Sequence, residues 1–229
     1  MSEFTVTVSI DDKSIEEMAN YVLYGFKAVK TADSQTSPIV WFASTDYTTT
    51  TDISWHTEYQ SYAAPYKQSG PVSSYSARDI TLGKTMKIKN KKCLGEVSGD
   101  PDASKPIKVT NGLDDTQFRT GIAQRPSLTN EFRPLCVSKI IADGTNAFMP
   151  VEKIMLIFAT EAVDEGAVIT QAFSAGLLID VTGASERKVT FSTSNSWKWD
   201  TGAPWAKKIT AQEDITKHLV VGQKLELLA

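Results

Sequence analysis

The sequence predicts an all-β fold of the β-sandwich type, built from two related halves and carrying one or two short helices. Three observations lead there. Apolar and small hydroxyl residues alternate in short segments, turn residues recur between those segments, and the order of segments repeats after half the chain.

The first segment, residues 4–10, alternates Phe, Val, Val and Ile with Thr, Thr and Ser, which is the period of a half-buried strand. Asp11 and Asp12 end it. A short helix follows, with Ser14 and Glu17 spaced as a capping box and Ile15, Met18 and Val22 on one face. Strand segments recur at 24–29, 39–44, 53–62, 80–88 and 107–109, with turn chemistry such as Asp100-Pro101-Asp102 between them.

The second half repeats this order. Ile39-Val40-Trp41-Phe42-Ala43-Ser44 is echoed by Met155-Leu156-Ile157-Phe158-Ala159-Thr160, and Arg78-Asp79-Ile80-Thr81-Leu82 by Arg187-Lys188-Val189-Thr190-Phe191. Gly112 and Gly222 close the two copies. The offset between matched positions stays near half the chain, which chance likeness between short strands would not preserve. The expected division is 1–113 and 114–229, at the turn residues around Asn111-Gly112-Leu113-Asp114-Asp115, with the halves folding separately or as one compact unit.

A chain of 229 residues with 41% hydrophobic and 22% charged side chains can bury a core and is not disordered as a whole. A net charge of −3 argues against nucleic acid as a partner through a broad basic face, and leaves little repulsion between copies. No apolar run is long enough to span a bilayer, and the polar, alternating N-terminus has no signal-peptide core. The expected location is the cytoplasm, or a vacuole reached without a leader.

Chemistry-bearing residues are sparse. His56 and His218 are the two histidines. On a strand His56 and Glu58 share a polar face, the smallest arrangement for a general base, but a solvated strand face gives the same pattern. Zinc-ligand spacings and calcium loops are absent from the sequence. Gly83-Lys84-Thr85 lacks the earlier glycine of a phosphate loop, whose place is taken by Arg78. No catalytic, cofactor-binding or metal-binding residue is assigned, and the expectation is a protein that is not an enzyme.

Two features invite a surface reading. All seven tyrosines lie between Tyr21 and Tyr75, and Trp55, Tyr59, Tyr62 and Tyr66 follow one another closely. Trp197, Trp199 and Trp205 form a second group near Gly202 and Pro204, which puts at least one of them in a loop. Exposed, these rings make a binding or assembly face, because Tyr and Trp join apolar area to a polar tip. Buried, they make an aromatic core, and both readings stand at this point.

The second feature is the run 84–92, where Met86 and Ile88 face one way and Lys87, Lys89 and Lys91 the other. That is the pattern of an edge strand guarded by lysines, or of a patch for anionic headgroups or an acidic partner. Cys93 follows directly and is expected to be partly exposed and reactive. Cys136, between Leu135 and Val137, points to the opposite face from both. The two are expected to be free thiols within one chain and candidate crosslinks between copies.

Residues 4–10, Gly25-Phe26-Lys27, Val40-Trp41, Ser54-Trp55-His56-Thr57-Glu58-Tyr59-Gln60 and Pro150-Val151-Glu152-Lys153 resemble a pattern in small, leaderless bacterial and fungal β proteins of unknown activity. Within that group the chain is similar to the octin type, fungal proteins that form octahedral vacuolar crystals. That resemblance implies self-assembly or storage, with other copies as partners and the cysteines as lattice crosslinks. Fungal lectins and leaderless cytolysins are also small β proteins rich in Trp and Tyr. They supply the alternative of a glycan- or membrane-binding protein.

Overall fold

Strands form where the sequence alternates, as in residues 4–10, and where it runs apolar, as in residues 154–159. The computed structural model describes residues 2–222 apart from 34, 68, 69, 74 and 201. The first elements are β1 (Glu3–Ile10), α1 (Asp12–Glu17), β2 (Val22–Thr31), β3 (Ser37–Pro38), β4 (Phe42–Ser44), β5 (Thr50–His56), β6 (Tyr59–Pro65) and β7 (Ser76–Ile80). Then come β8 (Thr85–Ile88), β9 (Gly95–Ser98), β10 (Ile107–Asn111), β11 (Phe118–Gln124), β12 (Arg133–Pro134) and β13 (Cys136–Ile140). The chain ends with β14 (Thr145–Ala159), β15 (Gly176–Asp180), β16 (Glu186–Ser192), β17 (Ser196–Lys198), β18 (Ala206–Ile209), α2 (Thr216–Leu219) and β19 (Val220–Gly222).

The strands form three sheets. The first runs β17-β16-β1-β5, with β1 parallel to β16 and antiparallel to β5. The second runs β18-β15-β14-β10-β8-β9, and β2 pairs with the other edge of β14 while also holding β4 and β19. The third runs β3-β13-β11-β6-β7, with β12 on β11. The class is therefore all-β, as the sequence predicts.

Both faces of the second sheet are covered where β2 and β14 pair, which explains why these two strands read as nearly continuous apolar runs. On β14, Ile154, Leu156 and Phe158 enter the main core, which also takes Val6 and Val8 from the first sheet and Phe118 and Ile122 from the third. Met155, Ile157 and Ala159 face the other way, under Ile215 and Leu219 at α2 and Phe173 of the preceding connection. Each large side chain so buried contributes roughly 1.5–3 kcal/mol relative to an exposed one. Gly25 on β2 permits one close approach: the Phe42 ring lies where a Cβ would stand.

Every sheet draws strands from both sides of the expected 113/114 division. β2 pairs antiparallel with β14, and β13 antiparallel with β3. β1 lies between β5 and β16, and β11 between β6 and β13.

Local details depart from expectation in two places. Asp11, not Ser14, caps α1, accepting the Ser14 N–H at 2.9 Å. The lysine-bearing β8 is not an edge, because it lies between β10 and β9. Its lysines face outward for the simpler reason that Met86 and Ile88 take the core side. Among the described residues no helix is long and apolar enough to cross a membrane.

Candidate functional site

The aromatic groups are mostly core, which corrects the surface reading for four of their members. Trp55, Tyr62 and Trp197 are at most 1% exposed and Tyr59 is 6% exposed. On β5 the face of Trp55 turns into the core while Asp52 and His56 face solvent, and β6 is largely buried on both faces. The Tyr62 hydroxyl donates to the Cys136 carbonyl, and Trp197 stacks on Phe158 with ring centroids 5.3 Å apart. Trp199 and Trp205 lie outside strands, as the nearby Gly and Pro imply, but both are half-buried. Trp199 Nε1 donates to the Ala203 carbonyl, and the Arg187 guanidinium covers the Trp205 ring at 5.0 Å.

The cysteines are free but buried, which corrects the expectation of an exposed, crosslinking Cys93. Cys93 has φ +63° in the turn between β8 and β9 and packs into the main core, while its neighbour Leu94 takes the exposed place. Burial pushes the Cys93 thiol up despite the lysines before it, and pushes Cys136 up to about 12. Neither thiol is available to a second copy.

One member of the aromatic run and one of the lysine run do meet. Tyr66, just past the end of β6, is 44% exposed. The β6–β11 ladder sets Pro65 opposite Phe118, and the β11–β13 ladder sets Phe118 opposite Ile140, so Tyr66 stands beside Gln117 and the end of β13. The result is a groove of about 520 Å³ lined by Tyr66, Lys67, Lys91, Asp115, Thr116 and Gln117 above Pro65 and Phe118. The Lys139 ammonium lies 4.8 Å over the Tyr66 ring. Lys91 pairs with Asp115, and its hydrogen bond, followed by that of the Thr116 hydroxyl, holds the carboxyl below its usual range. Lys89 pairs instead with Glu96 at 3.1 Å, and Lys87 points outward from β8, outside the groove.

A second polar constellation lies inside the main core. Lys27 on β2 has no exposed side-chain surface, and its Nζ is 2.9 Å from Glu152 Oε2. A register shift in β14 between Val151 and Ile154 brings Glu152 there. Trp55 Nε1 donates to the same oxygen at 2.8 Å, the Tyr59 hydroxyl is 3.4 Å from Oε1, and the ammonium sits 4.1 Å over the Trp55 ring. Burial pushes the Lys27 pKa down, and Glu152 opposes it. The signal was visible in the sequence as two charges set within otherwise apolar strands. With Nζ sealed from solvent, this is a packing device, in which an ion pair and two indoles tie β2, β5 and β14 together.

His56 is exposed, whereas His218 is half-buried. His56 Nε2 is 3.8 Å from Glu3, not beside Glu58, which follows the end of β5. His218, with no partner evident in the sequence, lies 2.8 Å from Glu213, which Lys207 and Lys217 also approach. Among the described residues no group of three His, Cys, Asp or Glu could hold a metal ion. Comparison with protein-family models, with curated proteins and with solved structures gives no match.

Proposed function

We propose that the chain is a non-catalytic carbohydrate-binding protein and that the groove at Tyr66 holds the sugar. The carrying observation is the pairing of an exposed aromatic ring with polar side chains in one concave site of ligand size. A ring face takes the C–H surface of a sugar, while Asp115, Thr116, Gln117 and the lysines offer acceptors and donors for its hydroxyls. The chemistry of the lining favours binding over turnover. Its single carboxylate is held ionised by Lys91, whereas glycoside hydrolysis commonly uses a pair of carboxyl groups.

The experiment is a glycan panel probed with the wild-type chain and with Tyr66→Ala. Removing an exposed ring leaves the fold intact, so the reading expects unchanged melting and loss of binding. A panel with no bound glycan, or equal binding by the variant, overturns it.

Self-association is the second reading, favoured by the two exposed side chains Tyr66 (44%) and Ile141 (59%) at the same end of the third sheet. A homotypic contact there would cover both, and the net charge of −3 would oppose it little. Storage in the cytoplasm or a vacuole would go with that reading. Light scattering at rising concentration tests it: growth that Tyr66→Ala abolishes supports assembly, and a particle that stays monomeric removes it.

A further inference from the structure

We infer that the ligand is an acidic oligosaccharide lying across two grooves, with its anionic group between the lysines around Tyr66. This rests on the carbohydrate-binding reading and names the class of sugar. Lys67 and Lys91 line the groove and the Lys139 ammonium stands over Tyr66, three cationic side chains against the single carboxylate of Asp115. The chain as a whole carries −3, so this cationic cluster runs against the overall sign. A local excess of one charge in a concave site concentrates ligands of the opposite charge.

The second groove, about 430 Å³, is lined by Asp33, Gln35, Lys139, Ile141, Thr145 and Asn146. Lys139 links the two: it lines the second groove, and its ammonium stands over the Tyr66 ring that lines the first. The walls are tied together, because Asn111 Nδ2 donates both to the Thr116 carbonyl of the first groove and to the Ile141 carbonyl of the second. The second site is nearly neutral and rich in amide and hydroxyl groups. Asp33 already accepts from the Ser138 hydroxyl, and Asn146 Nδ2 donates to Thr120, Ser138 and the Lys139 carbonyl. An oligosaccharide thus meets a cationic, aromatic subsite followed by a polar one in which Asp33 offsets Lys139.

The test uses the full chain on a panel of neutral, uronate, sialylated and sulfated oligosaccharides, with phosphatidylserine vesicles as a separate arm. Binding confined to acidic sugars is expected, weakening roughly tenfold between low and moderate salt as the ammonium groups are screened. Lys139→Gln, and separately Lys67→Gln, should each weaken an acidic sugar by about threefold to tenfold and flatten its salt dependence. Neutral sugars bound as tightly as acidic ones, with no response to Lys139→Gln, would overturn this inference and leave the carbohydrate reading standing. No sugar bound at all overturns both, as does capture of vesicles alone.

Discussion

Deleting the carboxylate of Glu152 should cost far more stability than deleting the ammonium of Lys27, although the two form one ion pair. In Glu152→Ala the Lys27 Nζ, with no exposed surface, keeps only the indole rings of Trp55 at 4.1 Å and Trp41 at 5.9 Å. Stranding a buried charge in this way costs about 3–5 kcal/mol. At about 2–4 °C per kcal/mol for a chain of this size, Tm falls by roughly 6–20 °C. In Lys27→Met the carboxylate keeps the Trp55 N–H, the Tyr59 hydroxyl and the solvent access of a side chain 17% exposed, so the loss is about 1–2 kcal/mol.

The pH dependence follows from the same burial. Lys27 is held below its unfolded pKa, so the unfolded chain binds the extra proton, and stability rises as pH climbs from the folded towards the unfolded pKa. Glu152→Ala removes the group that opposes this shift, so its deficit relative to wild type should shrink between neutral pH and about pH 10. Urea unfolding followed by tryptophan fluorescence at both pH values measures all of this. A Glu152→Ala loss below about 1 kcal/mol, or a Lys27→Met loss exceeding it, would refute the reasoning.

Three further outcomes follow from the packing. Ellman's reagent should label neither thiol of the native protein and both after unfolding, since Cys93 is 3% and Cys136 0% exposed; rapid native labelling of Cys93 would contradict its place in the core. Gly121→Ala sets a Cβ against the Cys136 carbonyl and the Tyr62 ring and should cost at least about 2 kcal/mol in a urea melt, with unchanged stability as the contrary result. Glu213 is held down at about 2, first by its hydrogen bond with His218, then by the Thr210 N–H and Lys207. Its contribution is present above the unfolded pKa of 4.5 and lost as pH falls towards 2, so Glu213→Gln should flatten acid unfolding in that window.

What the sequence discloses is the strand and its two faces, and what it conceals is whether each face is covered. Residues 4–10 are a strand as the sequence predicts, because alternation is a property of the strand alone. Residues 39–44 read as one strand, but only Phe42–Ser44 is strand, because the Val40 N–H bonds the Ala167 carbonyl and the Trp41 N–H the Gly25 carbonyl. Trp55 and Tyr62 looked equally suited to a surface or a core, and only the stacking of three sheets decides between them. Tyr66 and Lys91 each stood out in sequence. Their meeting with Gln117 and Lys139 needed the pairing of β6, β11 and β13 across long separations, which leaves no local pattern.

The groove is best tested by titrating the ¹⁵N-labelled chain with the tightest-binding sugar from the panel and following amide shifts. The expected changes cluster at Tyr66, Lys67, Lys91, Asp115 to Phe118 and Lys139 to Ile141, and vanish in Tyr66→Ala. Changes centred elsewhere, or uniform broadening from association of copies, would contradict the Tyr66 groove as the binding site.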